Sequence, residues 1–258
     1  MTISSPSNPR AKQVRALQAS RRARYQHGAF VVEGSRLLRE ALEADARVEW
    51  VFFTGGPGRR EQALVRQLAR RGAESFEVTQ EVMRACSDTQ TPPGLLAVVP
   101  IPDKSPPAAM DFALVIDGVR NPGNLGGLIR SALAAGVQAT FLLPGSVDPF
   151  NPKVVRGAMG AHFHMPILAL PWEQLSDRLR GLEIWVATAQ RGRAYTSLDG
   201  RRPLAVVIGG EASGPEHDWE HLGARNVYIP THPRTESLNA TIAGSVILFE
   251  IARQRGAP

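Results

Sequence analysis

The hydrophobic pattern of the first hundred residues alternates between amphipathic stretches and short apolar runs. Apolar residues at helical spacing, such as Leu64, Val65 and Leu68, predict a helix that packs one face against a core. Runs rich in β-branched and aromatic residues predict strands. The expected order is helix 9–22, strand 30–33, helix 35–44, strand 48–54, helix 59–71, strand 75–78, helix 80–86 and strand 95–99. This alternation predicts a small α/β domain over residues 1–100.

Residues 101–110 contain three prolines and no apolar periodicity, which predicts an extended linker. Beyond the linker, strands are predicted at 112–116, 140–143, 183–187, 204–208 and 227–229, with helices between them and a last helix over 239–253. Strands that are apolar throughout are typical of a parallel sheet covered on both faces. Residues 111–258 are therefore expected to form a second α/β domain.

Three segments of this second domain join an apolar strand to a helix through glycine and polar residues. They are residues 121–130 after the strand at 112–116, residues 209–214 after the strand at 204–208, and residues 229–239. Open α/β sheets bind ligands at the carboxyl ends of their strands. Three such loops in one domain predict one composite site.

The polar residues of these loops also have simpler explanations. Helix capping accounts for Asn124 in the first loop and for Ser237 or Asn239 in the third. It does not account for Arg130, which lies in an otherwise apolar helix and is either a surface residue or a charge held by an anionic partner. Glu211 either brings a carboxylate to the sheet edge or is an ordinary acid at a helix N-terminus.

Positive charge is concentrated in the first part of the chain. Residues 1–105 carry 16 Lys and Arg against 11 Asp and Glu, a net charge of +5, whereas residues 106–258 carry 14 against 13. The first 24 residues hold six basic side chains and no acidic one. A cationic surface rich in arginine suits a phosphate backbone, so the charge favours nucleic acid over a merely solvated helix.

Several classes of function are disfavoured by what the chain lacks. The loop 209–214 is not a dinucleotide fingerprint, and no triphosphate-binding loop occurs. The six histidines show no metal-ligand spacing, and the single cysteine, Cys86, fits a half-buried position late in a helix better than a catalytic thiol. Without a secretory signal, or an apolar run near the roughly 20 residues of a membrane span, a cytoplasmic location is expected.

Taken together, the loops resemble the signature motifs of the SpoU (TrmH) family of RNA methyltransferases, in the SPOUT superfamily. The resemblance covers residues 112–253 and more loosely the N-terminal domain, through Asn8-Pro9-Arg10 and residues 30–34. Its motifs are Asn121-Pro-Gly-Asn-x-Gly-x-x-x-Arg130, Pro152-Lys-Val-Val-Arg156 with Met159-Gly-Ala161, Gly209-x-Glu-x-x-Gly214, and Ile229-Pro230 with Ser237-Leu-Asn239.

The resemblance implies a Rossmann-like sheet with a deep trefoil knot, an RNA-binding N-terminal domain, a homodimer formed through the knot region, and S-adenosylmethionine as cofactor, with no metal. By motif position, Thr188, Gly209, Ile229 and Leu238 are expected at the cofactor, and Asn121, Arg130, Glu211, Ser237 and Asn239 around the transfer site. The residues expected at RNA are Arg10, Lys12, Arg15, Arg22, Arg24 and Arg156. One departure is Pro233, where family members commonly have glycine; it predicts a changed path of the cofactor loop.

The implied reaction is transfer of a methyl group to a ribose 2′-hydroxyl in RNA. Arg130 occupies the position implied to activate that hydroxyl, either as a base or, because guanidinium stays protonated, by orienting phosphate and stabilising developing negative charge. With its separate N-terminal domain, the chain resembles the ribosomal-RNA branch of the family more than the minimal transfer-RNA branch, which implies large-subunit (23S) ribosomal RNA as substrate, with tRNA second. The alternatives are a non-catalytic RNA-binding family member and a nucleotide-dependent oxidoreductase on an ordinary Rossmann sheet.

Overall fold

In a computed structural model, residues 2–56, 58–211 and 214–256 are described, and they divide into two units. The first unit comprises residues 1–102 together with 150–163, and the second comprises residues 103–149 and 164–258. The return segment 150–163, which the sequence pattern assigns to the second domain, thus belongs to the first unit. A boundary drawn along the sequence could not reveal this excursion, because contacts rather than composition define it.

The first unit is built on a four-stranded sheet in the order β1-β4-β2-β3. β4 is antiparallel to both of its neighbours, and β2 is parallel to β3. Both faces are covered: Phe30 and Leu38 belong to one core, and Phe52 and Met83 to the other. The elements are α1 (Pro9–Ala19), α2 (Arg21–His27), β1 (Ala29–Glu33), α3 (Ser35–Glu43), β2 (Trp50–Thr54), α4 (Arg59–Arg70), β3 (Glu74–Val78), α5 (Gln80–Cys86) and β4 (Leu95–Pro100).

The basic N-terminal segment forms two helices, whereas the sequence pattern predicts a single helix over residues 9–22. The break falls at Ser20, whose backbone is extended and whose side chain accepts a hydrogen bond from the Ala23 N–H at 3.3 Å. Serine is a strong N-cap, so it ends α1 and begins α2.

Core positions predicted from helical spacing are confirmed in this unit. Leu64, Val65 and Leu68 are buried in one core cluster. Cys86 is fully rather than half buried, and its Sγ lies 3.7 Å from the Ala11 carbonyl oxygen. Burial raises the pKa of the Cys86 thiol to about 11, which makes this cysteine a structural residue.

The second unit contains a seven-stranded parallel sheet in the order β7-β6-β5-β10-β8-β11-β9, which confirms the predicted parallel sheet. From β5 the chain runs outward through β6 and β7 and then crosses to the other side, where β10 inserts between β5 and β8. The β5–β10 pair is therefore the switch point of the sheet. The strands are β5 (Phe112–Asp117), β6 (Ala139–Leu142), β7 (Ile167–Ala169), β8 (Glu183–Thr188), β9 (Arg193–Ala194), β10 (Leu204–Gly209) and β11 (Arg225–Tyr228). The helices of this unit are α6 (Pro122–Ala134), α8 (Leu175–Arg178) and α9 (Ala240–Gln254). Helix α7 (Pro152–Ala158) lies in the return segment that belongs to the first unit.

Helices α6 and α9 pack against each other beside this switch point. The Ser131 and Ser245 hydroxyl groups are 2.7 Å apart across their seam. On α9, Ile242 and Phe249 are two turns apart and remain about half exposed, at 54% and 49%. No helix within the described residues is long and apolar enough to cross a membrane.

Candidate functional site

A cavity of about 510 Å³ opens at the carboxyl edge of the parallel sheet. Such a volume is typical of small-molecule sites. Three loops line it, those that follow β8, β10 and β11, together with the start of α9. The lining residues are Ala187–Arg191, Ile208–Glu211, Gly214, Pro215, Ile229, Thr231, Ser237, Leu238, Ala240, Ala243 and Ile247. Ala212 and Ser213 of the second loop lie outside the described residues.

The four residues predicted at the cofactor, Thr188, Gly209, Ile229 and Leu238, all line this cavity. Thr188 shapes the first loop: its hydroxyl donates to the Arg191 carbonyl at 2.7 Å and accepts from the Arg191 N–H at 3.0 Å. At Gly209 a β-carbon would collide with the Pro215 backbone nitrogen, so only glycine lets the second loop fold back this closely.

Of the residues predicted around the transfer site, Glu211 and Ser237 also line the cavity. Glu211 accepts a hydrogen bond from the Asn124 side-chain amide. The Asn124 Oδ1 in turn accepts from Asn239 Nδ2 at 3.0 Å, and the Thr241 hydroxyl donates to the Asn124 carbonyl at 3.0 Å. Asn124 therefore joins the loop after β5 to the other two motif loops.

The structure shows which of the two asparagines in the first loop caps helix α6. Asn121 is the N-cap of α6, and its Oδ1 accepts from the Gly123 N–H at 2.8 Å and the Asn124 N–H at 3.3 Å. Asn124, for which capping is a sufficient explanation in the sequence, lies in the polar network instead. The sequence does hold the signal: proline is favoured at the first helical position, and Pro122 at that position makes Asn121 the cap.

Arg130 is exposed on α6 and is not among the residues that line the cavity within the described chain. It follows Asn124 by six residues, or about 9 Å of helical rise. Of the three loops predicted to form one composite site, those at 209–214 and 229–239 line the cavity, whereas neither Arg130 nor the rest of residues 121–130 does. The loop after β8 lines the cavity in its place. Arg191, which the sequence motifs do not predict, is the cationic side chain at the cavity wall.

Pro233 occupies a position of the third loop that suits proline. The His232 carbonyl accepts from the Thr235 N–H at 2.8 Å, which closes a turn with Pro233 at its second residue. Proline is favoured there because its fixed φ matches the turn and no N–H is required.

The predicted RNA-contacting residues differ in availability. Lys12, Arg15 and Arg22 are exposed. Arg10 pairs with Glu74 at 2.9 Å, with its guanidinium 4.3 Å from the Phe76 ring centre, and Arg156 pairs with Asp88 at 2.7 Å.

Arg24 does not fit the surface role predicted for it. It is 3% exposed, and its guanidinium donates to the Leu17 carbonyl at 2.6 Å and the Gln18 carbonyl at 3.2 Å. These carbonyls belong to the last turn of α1, where a cation is favoured. Arg24 therefore stabilises the last turn of α1 from its place in α2.

The chemistry available at this edge comes from loop backbone, one carboxylate, one guanidinium, hydroxyl groups and amides. No cluster of three or more potential metal ligands occurs in the part of the chain that the structure describes. The cavity wall also includes the apolar side chains of Ile208, Ile229, Leu238 and Ile247. Such a site suits a polar organic molecule with an apolar portion.

Comparisons with known proteins identify relatives along nearly the whole chain. A relative in Synechocystis, an uncharacterized tRNA/rRNA methyltransferase, is 32% identical over 99% of this chain and 95% of its own. The 23S rRNA (guanosine(2553)-2′-O)-methyltransferase of Bacillus subtilis is 28% identical over 96% of this chain and 98% of its own. The crystal structure of the SpoU methyltransferase AviRb from Streptomyces viridochromogenes with AdoMet superposes with a TM-score of 0.85, at 26% identity over 97% of this chain and all of that one.

Profiles of two families match separate parts of the chain. The MRM3-like substrate binding domain matches residues 8–97, which correspond to the mixed four-stranded sheet and its helices. The SpoU rRNA Methylase family matches residues 111–249, which include the parallel sheet, all three motif loops and the cavity. The chain belongs to the SpoU rRNA Methylase family.

Proposed function

We propose that this protein transfers a methyl group from S-adenosylmethionine to a ribose 2′-hydroxyl in structured RNA, with large-subunit (23S) ribosomal RNA as the favoured substrate. The observation that carries the proposal is the cavity at the sheet's carboxyl edge, which residues of three separate loops line together. The Bacillus subtilis relative, which aligns over nearly its whole length, acts on 23S rRNA at a ribose 2′-oxygen, as its name states.

The residues at the cavity fit this cofactor. Ile208, Ile229, Leu238 and Ile247 offer an apolar surface to an adenine ring, and the loop at 229–239 runs outside helices and strands, which leaves backbone groups for polar contacts. Glu211 and Arg191 provide charges of both signs, as a ligand with a sulfonium, an ammonium and a carboxylate requires. When bound, the cofactor supplies an electrophilic methyl group whose leaving group is already in place.

The chain's own residues then have to align the hydroxyl and stabilise charge. Glu211, which accepts a hydrogen bond from Asn124, forms one edge of the site. In this proposal Ser237 and Asn239 orient the ribose, and the bond from Asn239 to Asn124 supports that role. Arg130, exposed on α6, binds the target phosphate and stabilises negative charge that develops on the hydroxyl oxygen. Because guanidinium stays protonated, the proton passes to phosphate or solvent rather than to Arg130.

In this proposal the N-terminal domain, residues 1–100, binds the RNA substrate. Its support is the match of residues 8–97 to a substrate-binding domain and the exposed Lys12, Arg15 and Arg22. A dedicated substrate domain favours a large structured RNA, so tRNA is the second candidate. The proposed ribosomal substrate and the single cysteine support a cytoplasmic location.

We further propose that the catalytic domain, which follows the 101–110 linker, contains a deep trefoil knot and forms a homodimer next to it. The knot rests on the membership of residues 111–249 in the SpoU rRNA Methylase family, whose resemblance implies it. The dimer is supported by an apolar stripe of Ile242, Val246 and Phe249 on α9, spaced four and three residues apart. Exposed apolar stripes of this kind mark interaction surfaces, and self-complementary ones form two-fold dimers.

Methyl transfer to defined RNAs tests the proposal. Purified protein and tritiated S-adenosylmethionine are incubated with 23S ribosomal RNA and, separately, with tRNA; we expect label in 23S RNA. Arg130→Ala should abolish transfer while leaving the Kd for S-adenosylhomocysteine nearly unchanged, because Arg130 does not line the cavity.

The matched control is Arg178→Ala, which removes another exposed arginine, on α8. Cofactor binding and RNA binding without transfer would indicate a non-catalytic family member. Label in tRNA alone would identify tRNA as the substrate instead. Equal loss of methyl transfer and of cofactor binding in Arg130→Ala would show that this arginine is structural.

A further inference from the structure

Asp117, the last residue of β5, is a fully buried carboxylate with three hydrogen-bond donors around it. Its oxygens accept from the His217 backbone N–H at 3.1 Å, the His217 Nδ1 at 2.8 Å and the Trp219 indole N–H at 2.8 Å. A buried carboxylate is costly unless it is hydrogen-bonded in this way. Because a carboxylate only accepts, the proton on His217 is placed at Nδ1.

The donors belong to the segment that directly follows a wall of the cavity. Gly214 and Pro215 line the cavity, and His217 and Trp219 follow Pro215 by two and four residues. Gly210 and Gly214 exchange two backbone hydrogen bonds of 3.0 Å, which close the loop that carries Glu211. Asp117 is therefore connected to the cavity wall through only a few residues of this loop.

The same loop is fixed to the end of β5 at two further points. Gly209 pairs with Asp117 in the β5–β10 register, and a β-carbon on Gly210 would lie 2.6 Å from the Gly118 carbonyl oxygen. Gly118 has φ +84°, and a β-carbon there would approach the Glu216 side chain to 2.8 Å. The loops after β5 and β10 thus touch without room for a side chain between them.

An aromatic cluster supports the His217 ring from the other side. The Trp172 ring stacks on it with centres 4.7 Å apart and planes inclined by 16°, and Trp172 also meets Trp219 edge to face. Both donor side chains are therefore held in one orientation by packing as well as by the carboxylate.

We propose that Asp117 is a positioning residue for the cofactor cavity: through His217 and Trp219 it holds the Gly214–Pro215 wall and, with it, the loop that carries Glu211. The inference rests on the proposed function, since it assigns Asp117 a part in that site. Asp117 does not itself line the cavity, so its effect passes through the loop.

Two tryptophans of the second unit provide a matched experiment on the full chain. Trp219→Phe removes the indole N–H that bonds Asp117, whereas Trp185→Phe removes a buried indole N–H that has no hydrogen-bond partner among the described residues. Both substitutions remove the same ring volume, and the two side chains are similarly buried, at 5% and 3% exposure. Calorimetric titration with S-adenosylhomocysteine gives the Kd, thermal unfolding gives Tm, and methyl transfer gives KM for each substrate.

We expect Trp219→Phe to weaken S-adenosylhomocysteine binding about tenfold, as for loss of a hydrogen bond to a charged group. KM for S-adenosylmethionine should rise with it, while KM for RNA stays unchanged. Trp185→Phe should remain within about twofold of the parent protein, because it leaves no acceptor unpaired. Asp117→Asn, which turns one acceptor into a donor facing other donors, should weaken binding further.

The outcomes separate the two proposals. If the parent protein does not bind S-adenosylhomocysteine, the proposed function fails. If the parent binds but Trp219→Phe and Trp185→Phe have the same Kd, whether both unchanged or both weakened, Asp117 serves only the fold and the inference is wrong. The two tryptophan variants decide this even if Asp117→Asn does not fold.

Discussion

The Asn124 amide offers the sharpest test of the site, because it joins the three motif loops by side-chain contacts. Replacing it by aspartate keeps its shape and its Oδ1 acceptor for Asn239, but converts the donor toward Glu211 into a second carboxylate oxygen. The change therefore removes one hydrogen bond and adds a like-charge contact. We expect Asn124→Asp to lose most methyl transfer.

The magnitude follows from the contacts. A hydrogen bond to a charged acceptor contributes about 1.5–3 kcal/mol, which corresponds to a roughly 10- to 150-fold loss in kcat/KM if the bond is needed at the transition state. Repulsion between the two carboxylates adds to this loss, but Glu211 is exposed, so solvent screening keeps the added amount small. The loss should fall mainly on kcat, because Asn124 does not line the cavity.

The matched control is Asn121→Asp, three residues earlier in the same loop. Aspartate caps helices as well as asparagine does, so the hydrogen bonds from the Gly123 and Asn124 N–H groups are retained. We expect this variant to keep activity within about twofold, since an equivalent cap costs little. Both variants are compared by steady-state methyl transfer to 23S RNA and by thermal unfolding.

A loss of activity in Asn121→Asp as severe as in Asn124→Asp, with both proteins folded, would refute these assignments. That result would support the transfer-site role that the family resemblance implies for Asn121. Full activity in Asn124→Asp would show instead that the bond to Glu211 has no part in the reaction.

Two further predictions concern the surfaces used for binding. Changing Lys12, Arg15 and Arg22 together to glutamate should weaken RNA binding and make it less dependent on salt. The slope of log K against log salt concentration should fall by about 0.7–0.9 for each phosphate that the protein no longer neutralises. Filter binding at several salt concentrations measures this slope, and the control, charge reversal of three exposed arginines of α4, should leave it unchanged. Phe249→Glu places a charge on the exposed α9 stripe and should yield a monomer in sedimentation equilibrium, and a dimer of unchanged affinity would contradict the proposed interface.

The sequence predicts the elements well because apolar periodicity reports which face of each element is buried. All predicted strands of both units occur, and Leu64, Val65 and Leu68 are in the core. The pattern does not predict β7 and β9, which have three and two residues and are too short for a periodic signal. It also does not predict the break at Ser20, because basic residues continue on both sides of the capping serine.

At the site, the pattern of glycine and polar residues after apolar strands predicted two of the loops that line the cavity, those at 209–214 and 229–239, but not the loop after β8. The motifs also left other points open. They did not determine which of two asparagines caps and which bonds Glu211, nor that Arg24 is buried while Arg22 is exposed. The role of Asp117 also emerged only from the fold, because its partners lie 100 and 102 residues away. Local patterns report burial and backbone preference, whereas hydrogen-bond partners across the sheet are chosen by the packing of distant segments.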